Sequence, residues 1–109
     1  MTMKRFLLIL GGMTMMCVMT SAMAAEDYNK TLATAGVQAG TGYFSTVEQT
    51  SVSCLYGVIY IPNLSNDAGQ RAMYATVLSA QSGSRKITHV SYDVDSTGRC
   101  TASLVETAP

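Results

Sequence analysis

Residues 54–61, Cys-Leu-Tyr-Gly-Val-Ile-Tyr-Ile, are the stretch of this sequence with the strongest β-strand character. Aromatic and β-branched side chains dominate it, and Pro62 stops it because proline donates no hydrogen bond to a strand ladder. When successive side chains alternate between two faces, both faces of this stretch are apolar. We therefore expect residues 54–61 to form a central strand of the sheet.

The first 24 residues have the pattern of a secretory signal peptide. Two positive charges precede an uncharged apolar run over residues 6–19, and the small residues Ala22 and Ala24 stand where signal peptidase recognises its substrate. The run is shorter than the roughly 20 residues that span a bilayer. We expect cleavage after Ala24, a periplasmic or secreted location, and no membrane attachment after cleavage.

Cleavage would leave one domain over residues 25–109. Removing 24 of the 109 residues leaves 85, which is enough for a single hydrophobic core. This part holds five Lys and Arg against seven Asp and Glu, a net charge of −2. A mildly acidic surface without a basic cluster argues against nucleic acid as a partner.

Cys54 and Cys100 are the two cysteines that remain, because Cys17 would leave with the signal peptide. In an oxidising compartment two cysteines permit one intramolecular pairing, so we predict a Cys54–Cys100 disulfide. Closing a loop of that length stabilises a fold by about 4 kcal/mol in the chain-entropy model. The alternative, a reactive or metal-binding thiol pair, lacks a neighbouring His, Lys or second cysteine.

Turn residues divide the N-terminal half of the domain. Residues 25–30 carry three charges and no apolar periodicity, which predicts a flexible lead-in. Residues 31–38 and 42–49 have strand character, and Ala39-Gly40-Thr41 separates them. They are predicted to form a first hairpin.

One helix is predicted over residues 68–82. Asp67 stands at its N-cap, Gln70 completes a capping box, and Gly83 follows where helices commonly end. The apolar side chains at helical spacing, widened by neighbours on the same face, are Met73, Val77, Ala80, Ala72, Thr76 and Leu78. This face is expected to pack against the sheet.

A second hairpin is predicted at the C-terminus. Residues 87–94 alternate between apolar and polar side chains, the turn Asp95-Ser96-Thr97-Gly98 follows, and residues 100–106 return. Ala102 and Leu104 are expected to share the face of Cys100. The chain is therefore predicted to be α+β, with a small antiparallel sheet, one packed helix in the order strands, helix, strands, and one disulfide.

Two turn aspartates and a histidine are the candidates for chemistry. His89 is the only histidine, so no site with several histidine ligands exists, and alternation places it on an exposed strand face. Residues 93–98 match the start of a calcium loop, but Leu104 stands where the bidentate glutamate belongs, and turn chemistry explains the same residues. Asp93 and Asp95 are too close in sequence for the carboxylate pair of a glycosidase.

No glycine-rich phosphate loop, nucleophile elbow or Cys-x-x-Cys pair is present. The sequence therefore predicts no catalytic residues, no metal, no cofactor and no enzymatic activity. Six tyrosines and no tryptophan are present. Tyrosine rings stack on sugars and also suit subunit interfaces, while packing within a sheet is the simpler explanation of them.

Several segments together resemble the small secreted B subunits of bacterial A/B toxins of the subtilase-cytotoxin and typhoid-toxin type. They are Tyr43-Phe44-Ser45, the strand that carries Cys54, the helix sequence over residues 71–80, residues 86–90, and the closing strand that carries Cys100. The resemblance implies an OB-like fold, a ring of five copies and exposed strands that bind host sialoglycans. It also implies that Tyr43, Phe44 and Ser45 lie at the sugar, with Ser45 in contact with it.

The function expected from the sequence is that of an exported, non-enzymatic binding domain. Its ligand is expected to be a glycan or a protein, and homo-oligomers are expected if the toxin resemblance holds. Uncharacterised small exported proteins of the same layout fit equally well. The alternatives are a periplasmic inhibitor or partner-binding protein, with residues 63–67 as a protruding loop, and a structural component of the cell envelope.

Overall fold

The computed structural model describes residues 23–109, which contain six strands and one α-helix. The strands are β1 (Met23–Lys30), β2 (Leu32–Gln38), β3 (Thr41–Thr46), β4 (Ile59–Ile61), β5 (Ile87–Val94) and β6 (Cys100–Thr107). The helix α1 (Ala68–Ser82) lies between β4 and β5 in the chain. The predicted signal peptide lies outside the described residues, apart from Met23 and Ala24, which begin β1.

All six strands belong to one sheet in the order β1-β5-β6-β4-β3-β2. Four of the neighbouring pairs are antiparallel, but β4 and β6 are parallel, with Ile59 opposite Cys100. The predicted antiparallel sheet is therefore a mixed one. Parallel neighbours need a long crossover, which here consists of α1 and β5.

The charged segment after the predicted cleavage site is a strand, and the predicted flexible lead-in is wrong. β1 pairs with β5 from Met23 opposite Val94 to Lys30 opposite Ile87. The polar sequence concealed this strand because the inward-facing residue is Asp27, a carboxylate that is only 6% exposed.

Thr31 alone separates β1 from β2, so that one bent segment of chain lies at both edges of the sheet. Glu48, in the loop after β3, accepts hydrogen bonds from the Thr31 amide at 2.6 Å and the Thr31 hydroxyl at 2.7 Å. These bonds lower the pKa of Glu48 to about 2. The loop after β3 is therefore bonded to the junction between β1 and β2.

The first predicted hairpin is confirmed in β2 and β3. Its turn is the two-residue loop Ala39-Gly40, since Gln38 lies opposite Thr41. Both residues have positive φ, 52° and 77°, as a type I′ turn requires. β3 ends at Thr46, earlier than predicted, because the following residues turn towards β1.

The predicted central strand over residues 54–61 is only partly a strand. β4 is central, between β6 and β3, but it starts at Ile59. Leu55–Gly57 form a single 3-10 turn in which Tyr56 has φ 60° and ψ 9°. The Leu55 amide donates to the Gly98 carbonyl at 2.8 Å, which holds this segment away from the strand ladder.

The predicted disulfide is confirmed. Cys54 and Cys100 are bonded, with their α-carbons 5.5 Å apart. Cys100 is the first residue of β6 and is fully buried, while Cys54 lies before β4. The bond therefore connects the turn over residues 55–57 to the sheet.

The helix is confirmed from Ala68 to Ser82, and the Asp67 carboxylate accepts from the amides of Gly69 and Gln70 at 2.9 and 3.2 Å. Gly83 follows the helix as predicted, but the residue with left-handed φ is Ser84. The predicted apolar face is rotated slightly: Val77 and Ala80 are buried and Met73 packs against the core, whereas Ala72 and Leu78 are exposed.

Tyr74 takes the place in the core that Ala72 and Leu78 were predicted to occupy. Its ring lies over Gly42 of β3, where an added β-carbon would come within 2.6 Å of it. Its hydroxyl donates to the Gly36 carbonyl of β2 at 2.6 Å. A small residue on the sheet therefore decides which side of α1 faces inward.

The C-terminal hairpin is confirmed, and Val90, Tyr92 and Val94 of β5 are buried as alternation predicts. The prediction that Leu104 shares the face of Cys100 is wrong. Tyr92 pairs with Ala102 but Ser91 pairs with Leu104, so Ser103 is an extra residue in β6. This bulge turns Leu104 outward and brings Val105 against the core.

Candidate functional site

The three residues predicted to bind sugar lie on two faces of β3. The Phe44 side chain is 0% exposed and belongs to the hydrophobic core, so it offers no surface to a ligand. Tyr43 and Ser45 are half-buried and point to the opposite, outer face of the sheet, because side chains alternate along a strand. The Ser45 hydroxyl lies 2.6 Å from the Thr34 hydroxyl of β2.

Tyr60 of β4 lies directly opposite Tyr43 and extends the same outer face. The two ring centroids are 6.5 Å apart with a 59° angle between the ring planes. Ile59 and Ile61, on either side of Tyr60, are buried in the core. The strand therefore contributes its inner side chains to stability and its one outer side chain to this surface.

Gly36 of β2 sets the position of the Tyr43 ring. The two residues are register partners, and an added β-carbon at Gly36 would lie 2.5 Å from the Tyr43 hydroxyl oxygen. The Tyr43 ring therefore lies across β2, in space that only glycine leaves free. An aromatic ring over a cross-strand glycine is a recurrent way of fixing both residues.

Arg99 completes this surface from the turn between β5 and β6. Its guanidinium carbon lies 4.2 Å from the centroid of the Tyr60 ring, which is a cation–π contact. Within residues 23–109 Arg99 forms no ion pair. Its positive charge therefore remains available to a ligand.

Asp95 holds the turn that presents Arg99. Its carboxylate accepts from the Thr97 hydroxyl at 2.6 Å, the Thr97 amide at 2.9 Å and the Arg99 amide at 3.0 Å. The Thr97 hydroxyl contributes most to lowering the pKa of Asp95. This is the turn chemistry expected from the sequence, and it occupies one of the oxygens that a calcium loop would need.

A shallow cavity of about 220 Å³ lies on this outer face. Its lining residues are Gln38, Ala39, Thr41, Tyr43, Tyr60 and Arg99. We call this set the tyrosine–arginine face. The arrangement can stack a ring on tyrosine, donate from a guanidinium, and exchange hydrogen bonds with hydroxyl and amide groups, but it holds no nucleophile paired with a base.

His89 lies in a cluster on another part of the sheet. Its Nε2 is 2.8 Å from Glu26 Oε1 of β1, and its Nδ1 is 3.2 Å from Glu106 Oε1 of β6. The Tyr28 ring stacks on the imidazole with centroids 4.6 Å apart. The hydrogen bond with Glu26, and then that with Glu106, raise the pKa of His89 above its ordinary value against the opposing effect of partial burial.

Asp27 is a buried carboxylate that the sequence did not single out. It accepts a short hydrogen bond from the Tyr92 hydroxyl, and the Ser51 amide donates to both of its oxygens at 3.1 and 3.2 Å. Burial raises the pKa of Asp27, but the hydrogen bonds outweigh burial and leave the pKa below its ordinary value. Asp27 thus ties β1 to the loop after β3.

A larger cavity of about 460 Å³ lies in that loop. Its lining residues are Thr46, Val47, Glu48, Gln49, Thr50, Ser51, Ser53, Cys54 and Gly57. Hydroxyl and amide groups dominate the lining. Within residues 23–109, no group of three or more His, Cys, Asp and Glu side chains is placed to hold a metal ion.

Tyr60 and Arg99 are the functional candidates that the sequence interpretation missed. Alternation along residues 54–61 places Tyr60 on the face opposite to Ile59 and Ile61, but nothing in the sequence shows that the turn between β5 and β6 brings the Arg99 cation over its ring. The predicted turn at residues 95–98 was a usable signal, because residues that flank hairpin turns are commonly exposed.

Comparisons of the chain with protein-family models, with curated proteins and with solved structures find no match. In the part of the chain that the structure describes, no helix is long and apolar enough to cross a membrane.

Proposed function

We propose that this domain is an exported, non-enzymatic glycan-binding protein and that the tyrosine–arginine face is its binding surface. The observation that carries the proposal is the stack of Arg99 on Tyr60 beside Tyr43, on the outer side of the sheet. Tyrosine combines an apolar ring face with a polar hydroxyl, and sugars present both apolar C–H faces and hydroxyl groups. A guanidinium adds five donors in a fixed plane.

An OB-like arrangement of the sheet belongs to the same proposal. Two features support it. Along the chain, β1 and β2 act as one bent first strand, β3 and β4 follow, and α1 precedes β5. In the sheet, β1 and β2 are the two edges, and β6 lies between β4 and β5. OB folds bind oligosaccharides and oligonucleotides on their second and third strands and on the loops after the first and fourth. In this numbering those are β3, β4 and the turns that carry Ala39 and Arg99.

The acidic balance of residues 25–109 favours a sugar over a nucleic acid. Nucleic-acid binding depends on several Lys and Arg side chains that neutralise phosphates. Arg99 is the one cation on the tyrosine–arginine face, and the domain as a whole carries a net charge of −2. A single guanidinium beside two tyrosines suits a ligand with at most a local negative charge.

Ser45 stays a predicted sugar contact within this proposal. It lies on the same outer side of β3 as Tyr43, two residues further along the strand. Its hydroxyl already shares a hydrogen bond with Thr34, so a sugar would bind to the pair rather than to Ser45 alone. A toxin B-subunit-like identity and a homo-oligomeric ring belong to the proposal as well, and light scattering on the oxidised domain tests the ring.

The partner-binding alternative placed its contact in residues 63–67. There the Leu64 amide donates to the Gly40 carbonyl at 3.0 Å and Arg71 donates to the Leu64 carbonyl at 2.9 Å. Asn63 accepts from the amides of Asn66 and Asp67. These bonds make the segment the start of α1. The tyrosine–arginine face therefore favours the glycan proposal over the partner-binding alternative.

The experiment is a printed glycan array probed with the oxidised domain, its Tyr60→Ala variant and a Tyr28→Ala control. Tyr28 is 59% exposed and lies on the His89 cluster, so it tests the loss of an exposed tyrosine elsewhere on the sheet. We expect binding by the wild type and by Tyr28→Ala, and a loss of about tenfold or more for Tyr60→Ala. Equal loss in both variants, or no wild-type binding, would contradict the proposal.

A further inference from the structure

Tyr56 combines high exposure with a backbone conformation that tyrosine rarely adopts. Its side chain is 82% exposed, the largest value among the exposed apolar side chains of residues 23–109. Its φ of 60° lies in the left-handed region, where a β-carbon crowds the following carbonyl oxygen. Gly57 also has positive φ, so Tyr56 is the strained member of a two-residue turn.

Packing does not account for this conformation. The Tyr56 ring is outside the core, and within residues 23–109 its hydroxyl makes no hydrogen bond to another side chain or to the backbone. A strained residue persists only where the surrounding structure fixes it, and such residues concentrate at ligand sites.

Three bonds fix the turn over residues 55–57. The disulfide joins Cys54 to Cys100, the Leu55 amide donates to the Gly98 carbonyl at 2.8 Å, and the Gly57 amide donates to the Cys54 carbonyl at 2.9 Å. Gly98 and Cys100 are the two neighbours of Arg99 in the chain. The turn that carries Tyr56 is thus bonded to the two residues that flank Arg99. Arg99 in turn stacks on Tyr60.

A cavity lies beside Tyr56. Gly57, the next residue, and Cys54 both line the hydroxyl-rich cavity of about 460 Å³ in the loop after β3. That volume falls in the range that holds small ligands. Ser53 and Gln49, which also line the cavity, are exposed and supply a hydroxyl and an amide for hydrogen bonds with a sugar.

We infer that Tyr56 is a ligand-binding residue that stacks on a second unit of the glycan, beside the cavity that Cys54 and Gly57 line. This inference rests on the proposed function, because it extends the tyrosine–arginine face to a longer oligosaccharide. The ring provides the stacking surface and the cavity provides the hydroxyl partners. The strain at Tyr56 is retained because glycine or asparagine would relieve it but would remove the ring.

The test compares Tyr56→Gly and Tyr56→Phe with the wild type in two measurements. Thermal unfolding reports the strain, and titration calorimetry reports the affinity for the tetrasaccharide that binds most strongly on the array and for its terminal monosaccharide. We expect Tyr56→Gly to raise the unfolding midpoint, to weaken tetrasaccharide binding about fivefold and to leave monosaccharide binding unchanged. Tyr56→Phe keeps the ring and is expected to bind like the wild type.

Two results overturn the inference in different ways. If Tyr60→Ala loses tetrasaccharide binding but Tyr56→Gly retains it, the tyrosine–arginine face stands and only the role of Tyr56 fails. If the wild type binds neither the array nor the tetrasaccharide, the proposed function fails and the inference fails with it.

Discussion

The contact between Tyr74 and Gly42 shows how one residue orients the whole helix. The Tyr74 ring occupies the space that a side chain at position 42 would need, and its hydroxyl bonds to β2. The sequence interpretation singled out neither residue. Glycine has no side chain that contributes to an apolar pattern, and Tyr74 was not among the residues of the predicted apolar face of α1. Three residues of the predicted apolar face do pack inward as expected: Met73, Val77 and Ala80.

We predict that Gly42→Ala destabilises the domain by about 1–3 kcal/mol, because the added methyl group overpacks the Tyr74 ring. Urea unfolding measures the change. Gly69→Ala is the matched control, since Gly69 lies in the first turn of α1, and alanine favours a helix over glycine by up to about 1 kcal/mol. Equal stability of Gly42→Ala and the wild type would show that the ring moves without cost.

The His89 cluster makes the stability of the sheet depend on pH. A neutral imidazole has one donor and one acceptor nitrogen, so only the protonated ring can donate to both Glu26 and Glu106. The hydrogen bond with Glu26 is the main reason that the pKa of His89 is raised. The stabilisation is therefore complete below the unfolded-state pKa of about 6.5 and is lost as the pH rises through the folded-state pKa.

We predict that the difference in urea midpoint between the wild type and His89→Gln is larger near pH 5.5 than near pH 8.5. Glutamine keeps one polar partner for the carboxylates but carries no charge. The titratable groups that face His89 are Glu26, Glu106 and Tyr28. The hydrogen bond with His89 lowers the pKa of Glu26 and the hydrogen bond with Glu26 raises the pKa of Tyr28, so both pKa values move away from that window. A difference that stays constant or grows with pH would contradict the role given to the charged ring.

Hairpins and the helix are the elements that the sequence predicted best. Local signals define them: Gly40 and the aspartate turn at residues 95–98 end strands, and Asp67 caps α1. β1 was missed because its inward side chain is the carboxylate of Asp27, whose partners Tyr92 and Ser51 are distant in sequence. The segment over residues 54–58 was taken for strand because its composition is that of a strand, while a disulfide and Gly98 fix it as a turn.

At the turn between β2 and β3, Ala39 adopts φ 52°, which glycine adopts without strain. We predict that Ala39→Gly stabilises the domain by up to about 1 kcal/mol, because the left-handed conformation costs alanine about that much. Thermal unfolding provides the measurement. Ala75→Gly, at an exposed position in the interior of α1, is expected to destabilise by about 1 kcal/mol, and a similar loss at Ala39 would refute the assignment of this turn.

Across the whole molecule, the α+β class and the Cys54–Cys100 pairing followed from the sequence, whereas the place of β1 at the edge of the sheet did not. The disulfide could be predicted from the number of cysteines and the expected oxidising compartment alone. The position of β1 depends on its contacts with the loop after β3, such as that of Asp27 with Ser51, which no local pattern encodes. Phe44 was grouped with Tyr43 and Ser45 because the toxin resemblance implied it, although alternation along β3 places Phe44 in the core.

We predict that replacing both cysteines, Cys54→Ala with Cys100→Ala, lowers the free energy of unfolding by about 4 kcal/mol. The bond closes a long loop between two non-adjacent segments of the chain, and its sequence separation is 46 residues. Unfolding of the wild type with and without a reducing agent is the matched comparison, since reduction breaks the bond without changing a residue. A loss below about 1 kcal/mol in both experiments would contradict this contribution.

The central claim is that the domain binds a glycan on the outer face of β3 and β4. The most direct measurement is an NMR titration of the isotope-labelled, oxidised domain with the tetrasaccharide that binds most strongly on the array. We expect the amide shifts to change most at Tyr43, Tyr60 and Arg99, with little change at His89 and its neighbours. Shifts that cluster on the His89 side of the sheet, or that spread evenly over the domain, would contradict the claim.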